Sequence, residues 1–415
     1  MRFPPVIDVV LTGLGLGALF SHWGSAKSPG NIMTSDDVVL FDAPAFIDPA
    51  NSSATLAQFN AFVFVRQVQV QPAVFVIREL LSAFGISVDQ SMPNLVNRSK
   101  LFAAMGLGDK TIQLNVQGCT AQASLSKTAD FPESGLFYQN ASLGACDFQP
   151  NNVYNATVAL SASDNRTISS NIFFYPDSGF GVISGTSVHR MAADKLTHHI
   201  PDIDDTVKVT HVLDTSEMLK TTFLDDPVPV DGMPELYASL ARTFSPHFFY
   251  VSGSMLQIYP FIHDFIDTTY SSSKGPLFLR NLTDIHDIVN FMESDGIFEY
   301  KSAIIDQIKG MYPNKRFLAV GDSTQKDPET YGEAYVLFLL QFSYPLLKLC
   351  ALSLNRYRRY GDSIMCAWIR EVDGANNTAA RFAAAFNGVP SSRWRVFNDS
   401  EIPALADIDV ANGEC

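Results

Sequence analysis

Positive charge is scarce in this sequence. Only 29 Lys and Arg stand against 43 Asp and Glu in 415 residues, a formal charge of −14. A nucleic-acid binder needs a basic footprint, so that class is excluded. Any phosphate ligand would need a metal or local cations to offset the acidic field. Cysteine is scarce and odd in number, five in all, so the thiols cannot all pair. Long apolar runs are few. The twelve apolar residues 9–20 are too short to span a bilayer. Placed behind Arg2 and ahead of the small residues Gly24 and Ala26, they read as a signal peptide over 1–26. The first 180 residues hold no metal cluster, glycine-rich phosphate loop or nucleophile elbow. Disorder is excluded by a hydrophobic fraction of 47%. The length suits two domains.

Eight Asn-x-Ser/Thr sequons occur, at Asn51, Asn97, Asn140, Asn155, Asn165, Asn281, Asn376 and Asn398, where 21 Asn and 60 Ser and Thr predict about three by chance. The excess fits a glycosylated protein of the secretory pathway or the extracellular space; a cytoplasmic, membrane-peripheral location is the alternative. Residues 30–180 read as a β-rich, sandwich-like accessory domain. Apolar runs at 38–41, 61–65, 111–116 and 157–160 alternate with turn residues, interrupted by one helical pattern at 74–84. Residues 181–415 alternate differently. Apolar strand runs at 247–251, 317–320 and 365–369 are separated by helical patterns, which predicts a parallel sheet with its ligand site at the strands' C-terminal ends.

Acidic motifs stand where such runs stop. In Asp202-Ile203-Asp204-Asp205-Thr206, strand alternation would turn Asp202 and Asp204 to one side. Two carboxylates that close repel unless a cation or proton lies between them. An acidic loop capping a helix through Asp205 and Thr206 explains this motif equally well. The second motif, Gly321-Asp322-Ser323 with Asp327 five residues after Asp322, favours a site. Such oxygen ligands suit Mg²⁺, which keeps several waters and needs few carboxylates.

These motifs and their surroundings resemble a known family. Asp202–Thr206 matches the DxDxT motif of the haloacid-dehalogenase (HAD) phosphatases, and Asp322 with Asp327 matches that superfamily's fourth motif. Gly232-Met233-Pro234-Glu235-Leu236-Tyr237, Tyr250-Val251-Ser252-Gly253-Ser254, Gly275-Pro276-Leu277-Phe278-Leu279-Arg280 and Asp327-Pro328-Glu329-Thr330-Tyr331 are similar to the fungal actin-patch-associated phosphatidate phosphatases. Met255-Leu256 departs from that pattern, which has Pro-Trp there. The resemblance implies an α/β HAD-type Rossmann-like three-layer domain behind a β-rich N-terminal domain. It implies hydrolysis of phosphatidate, a phospholipid met at a membrane surface, to diacylglycerol and phosphate. Asp202 would be the nucleophile and Asp204 the acid and base. Ser252 would bind a phosphoryl oxygen, and Lys301 would offset charge, with Lys309 and Lys315 as rivals. Mg²⁺ would be held by Asp202, Asp204 and Asp322 with support from Asp327, and Thr206, Lys208 and Arg280 would meet the substrate. A HAD phosphatase for another phosphomonoester, or an inactive secreted protein that binds lipid or glycan, are the alternatives.

Two stretches break the pattern. Residues 185–201 separate Asp202 from the apolar run at 179–184 that should lead into it, and Pro201 suits a central strand poorly. Residues 335–356 are strongly apolar and interrupt a polar helix. Both read as insertions or translated introns; Gln341, Pro345 and Lys348 count against a membrane span in the second. Cys350 falls inside it. The remaining four cysteines are expected to pair as Cys119–Cys146 and Cys366–Cys415, as suits an oxidising compartment.

Overall fold

The computed structural model describes residues 26–281 apart from 67–68, 89–90, 131–132 and 186–204, residues 295–335 apart from 325, and residues 360 and 363–415. Asp202, Asp204, His198-His199, Cys350, residues 1–25 and nearly all of the two anomalous stretches lie outside these residues.

Nine strands build the first sheet: β1 (Ala26–Asn31), β2 (Asp36–Leu40), β3 (Ala43–Asp48), β4 (Asn51–Val65), β5 (Leu107–Val116), β6 (Ala123–Lys127), β7 (Leu136–Gly144), β8 (Val153–Val158) and β9 (Ser169–Phe174). The main path runs β1-β5-β8-β9-β3-β4-β2, with β6 on β5 and β7 on β4. The period-two pattern explains its core. Ala57, Phe59, Ala61 and Val63 of β4 are buried with Ile112 and Leu114 of β5, while Gln58, Asn60 and Phe62 face the other way. The Cys119–Cys146 disulfide closes one side. Between β4 and β5 lie α1 (Gln71–Ala83) and α2 (Met92–Ser99). The first starts at a proline-bearing turn and buries Ala73, Val74, Ile77 and Leu81, the spacing of one helical face.

The second sheet holds β10 (Phe180–Ser184), β11 (His247–Met255), β12 (Leu277–Arg280), β13 (Arg316–Asp322), β14 (Ile364–Arg370) and β15 (Trp394–Phe397), in the order β12-β11-β10-β13-β14-β15. Every pairing is parallel. Counted along the chain from β10, the order is third, second, first, fourth, fifth, sixth. The winding therefore reverses between β10 and β13, which opens a crevice at the C-terminal ends of those strands.

Helices α3 (Thr215–Phe223), α4 (Met233–Phe244), α5 (Tyr259–Thr269), α6 (Asp295–Met311), α7 (Asp327–Tyr335), α8 (Ala379–Ala385) and α9 (Ile402–Leu405) follow in the chain. Alternate residues of the parallel strands feed two apolar layers. Val182, Phe248, Tyr250, Leu318, Val320 and Trp368 pack against α3, α4 and α5 on one face, and α1 and α2 join that layer. Ile183, Phe249, Val251, Ala319 and Ile369 pack against α6, α7 and α8 on the other. The result is a mixed α/β fold behind a β-rich N-terminal region, with helices on both faces of the parallel sheet. The Cys366–Cys415 disulfide ties the C-terminus to β14. Among the described residues no helix is long and apolar enough to cross a membrane.

Candidate active site

Register brings the site together. Ser184 at the end of β10 pairs with Tyr250 on one side and Val320 on the other. Two residues further on, Ser252 and Asp322 therefore stand level across the sheet, and Arg370 pairs with Asp322 on the next strand. The expected strand end at Ser252 is overrun: β11 continues to Met255, with an irregularity in its register between Ser252 and Met255. Gly185, the last described residue after β10, donates its N–H to the Val320 carbonyl at 2.8 Å. Its Cα leaves no room for a side chain, because a Cβ there would strike the Tyr331 hydroxyl. The chain is described again at Asp205, beside Asp322. Both ends of the undescribed stretch 186–204 thus lie at the reversal point.

Asp322 and Asp327 are fully buried. The Asp322 N–H donates to Asp327 Oδ2 at 3.2 Å, and Lys301 Nζ, itself buried, donates to Asp327 Oδ1 at 3.1 Å. Gly321 makes this approach feasible, since a Cβ there would collide with the Asp327 carboxylate. Asp322 Oδ1 accepts from the Thr324 N–H at 2.6 Å and from the Thr324 hydroxyl, and Oδ2 accepts from the Thr206 hydroxyl at 3.1 Å. Burial pushes the Asp322 carboxyl upward; the Thr324 bonds and Lys301 pull against it, while Asp205 adds to it. Burial likewise pushes Asp327 up to about 7, opposed by Lys301 and reinforced by Asp322. Two buried carboxylates facing one buried ammonium leave negative charge in excess, and the donors are hard oxygens. That combination fits a divalent cation such as Mg²⁺ at Asp322. Among the described residues no three His, Cys, Asp or Glu side chains group as a metal site, and Asp202 and Asp204 lie outside them.

Asp205 holds the returning chain. Its carboxylate accepts from the N–H groups of Thr210, His211 and Val212 at 2.9, 3.2 and 3.2 Å, which ties a loop and caps no helix; the helix that follows is capped by Asp214. Arg370, which sequence reasoning missed, donates to the Asp205 carbonyl and forms a two-bond fork with Asp399, at 2.6 and 2.8 Å. Arg381, also missed, donates to the Ser323 carbonyl and pairs with Glu329. The only sequence signal for Arg370 was its place as the last residue of an apolar strand run. Arg381 had none.

Of the other expected residues, Ser252 stands level with Asp322 and Arg280 stands apart. Ser252 is buried, and its hydroxyl accepts from the Ser254 N–H at 2.9 Å. Lys208 is buried, and its ammonium donates to the Thr210 hydroxyl at 3.2 Å. Arg280 ends the edge strand β12, three strands from Asp322, roughly 14 Å at the usual strand spacing. The two rival lysines sit away from the acidic cluster. Lys309 donates to the carbonyls of Pro313 and Lys315. Lys315 stands beside β10's N-terminal end, bonded to the Ser178 carbonyl and His247 Nδ1 at 2.9 Å each.

Comparison with known proteins meets this geometry. Residues 197–340 match the family "Phosphatidate phosphatase APP1, catalytic domain". The protein "Phosphatidate phosphatase APP1" of Saccharomyces cerevisiae is 30% identical over 171 residues, which are 40% of this chain and 28% of that protein. The chain thus aligns with little more than a quarter of this relative's length. Among solved structures, a Bacteroides ovatus GH5 xyloglucanase in complex with a XXXG heptasaccharide overlaps 69% of this chain and 65% of its own, at 11% identity and a TM-score of 0.17, too slight to bear on the fold. The matched segment carries Ser252, Lys301, Asp322 and Asp327, the residues gathered at the reversal point or level with it, and over residues 197–340 this chain is similar to that catalytic domain.

Proposed function

We propose that this chain is a Mg²⁺-dependent phosphatidate phosphatase, releasing phosphate and diacylglycerol from a phospholipid at a membrane surface. The observation that carries this reading is the buried Lys301–Asp327–Asp322–Thr206 chain at the winding reversal, inside the segment matched to the phosphatidate phosphatase family. The reading extends to the fold, a HAD-type three-layer domain, supported by the strand order and the helices on both faces.

In this reading a carboxylate oxygen of Asp202 attacks phosphorus, and the bond from phosphorus to the glycerol oxygen breaks. Asp204 gives its proton to that leaving oxygen. It then takes a proton from water, whose oxygen attacks phosphorus and breaks the aspartyl–phosphate bond. Ser252 hydrogen-bonds a phosphoryl oxygen, and Thr206 fixes the Asp322 carboxylate. Lys301 holds Asp327 in place and offsets the charge that substrate brings. Asp322 with Asp202 and the Asp204 carbonyl would hold Mg²⁺, which supplies positive charge against the phosphate oxygens. Lys208 and Arg280 stand as contacts for the glycerophosphate. The excess of sequons and the two disulfides support a secretory-pathway location.

The test is phosphate release from phosphatidate, combined with acid quenching and peptide mapping of the phosphoenzyme. A phosphoryl group on Asp202 is the expected result. Turnover with the label on another residue, or turnover in Asp202→Asn at the wild-type rate, would overturn the mechanism.

A further inference from the structure

A cleft of about 560 Å³ runs between the outer face of the first sheet and the edge strand β12, a size that suits a small-molecule ligand. On the α/β side stand Leu256, Leu277, Phe278, Leu279 and Ile304, mainly hydrocarbon, with Asn281 and Gln307 at that wall too. The opposite wall is mixed: Gln58 and Asn60 of β4 and Ser126 and Lys127 of β6 are polar, and Phe41, Leu136 and Phe137 are apolar. The cleft is pinned by contacts between the two halves. The Tyr138 hydroxyl donates to Gln307 Oε1, and Gln307 Nε2 donates to Gln58 Oε1. Elsewhere along the same wall, His263 Nε2 meets Asp42 Oδ2 at 3.0 Å, and the Asp42 N–H donates to Tyr259 at 2.9 Å.

The cleft adjoins the site. Leu279 pairs in register with Ser252 on the neighbouring strand, and the parity of the apolar layers turns both to the same sheet face, so their Cα atoms are about 5 Å apart. A smaller void at the sheet's C-terminal end is lined by Ser184, Val207 and Ser252, and it shares Leu277 with the cleft. A phosphoryl group bound at Ser252 would leave the rest of its ester one strand from a mainly hydrocarbon wall, faced by a mixed wall that carries amides.

Resting on the phosphatidate reading, we infer that this cleft receives an acyl chain of the substrate, with the chain along Leu256, Leu277, Leu279 and Ile304 and the ester oxygens toward Gln58 and Asn60. The N-terminal region thereby supplies half of the lipid subsite.

The test uses the full chain and two cleft-filling variants from the mixed wall, Asn60→Trp and Ser126→Trp, neither of which belongs to the reacting groups. Each variant is first matched to wild type in thermal unfolding; agreement of the two separates filling from misfolding. Expected is a loss of about tenfold in kcat/KM on dioleoyl phosphatidate with less than twofold change on glycerol 3-phosphate. In parallel, a non-hydrolysable phosphonate analogue of phosphatidate with a diazirine in its acyl chain should label peptides containing 56–60 or 277–281, and the variants should lose that label. Equal effects on both substrates, no effect on either, or labelling elsewhere would overturn the inference. The phosphonate reads binding without turnover, so an inactive wild type that still labels the cleft sinks the phosphatase reading alone.

Discussion

Replacing Lys301 with Met would leave two fully buried carboxylates without their buried cation. The ammonium lies 3.1 Å from Asp327 Oδ1, with the side chains 2% and 0% exposed. At an effective dielectric of 20 their attraction is about 5 kcal/mol. Removing one partner of such a pair costs about 3–5 kcal/mol, because the remaining charge keeps its desolvation penalty. Asp327 responds by rising further above its already elevated pKa and taking up a proton. Lys301→Met should therefore unfold about 10 °C below wild type, at roughly 2–4 °C per kcal/mol. Adding Asp327→Asn should restore most of that loss, so the coupling between the two sites should be at least about 3 kcal/mol. Phosphatase turnover should stay absent in the double variant, since neutralising Asp327 does not return the cation. Calorimetry on the four proteins of this cycle gives the coupling. A Lys301→Met protein within about 1 kcal/mol of wild type would mean that the pair is solvated and would refute the argument.

Three further outcomes follow from the same geometry. Gly321→Ala should destabilise by about 2–4 kcal/mol, because the new methyl group must displace the buried Asp327 carboxylate; chemical denaturation reads this directly. His247 is held down to about 3 by burial and by the neighbouring Lys315, so the folded state binds fewer protons than the unfolded one between pH 6.5 and 3. Stability should therefore be present above pH 6.5 and fall by up to about 4 kcal/mol toward pH 3. His247→Gln should flatten that slope in urea midpoints, and an unchanged slope would contradict the burial. A fragment limited to 197–340 should fail to fold, because it lacks β10 and β14, the strands on either side of β13. A cooperative unfolding transition from that fragment would show that the parallel sheet does not depend on them.

The parallel strands were legible in the sequence because buried parallel strands are short continuous apolar runs. Such runs at 179–184, 317–320 and 365–369 became β10, β13 and β14. Asp322 and Asp327 were legible through their motif, and Lys301 only through the family resemblance; the structure gathers all three. Contacts made only by folding were not legible. Nothing local marks Arg370 as the residue that grips the Asp205 carbonyl, since its partners lie 165 and 29 residues away. The packing of α1 and α2 onto α3 is equally non-local: Arg98 of α2 donates to the Thr222 carbonyl at 2.9 Å, across 124 residues. The run at 247–251 understates its strand because the residues after it are not apolar, whereas the chain runs on through a register irregularity to Met255. The joining of β10 to Asp202 across 186–204 belongs to residues that the structure does not describe.

The central claim is that the acidic cluster at the winding reversal hydrolyses phosphatidate. The most direct measurement is phosphate release from phosphatidate with Mg²⁺ by the full chain, alongside Asp202→Asn and Asp322→Asn. Mg²⁺-dependent release by wild type, falling at least about a hundredfold in both variants, is the predicted result. Release that survives in both variants, or a wild-type chain that releases phosphate from no phosphomonoester, would contradict it.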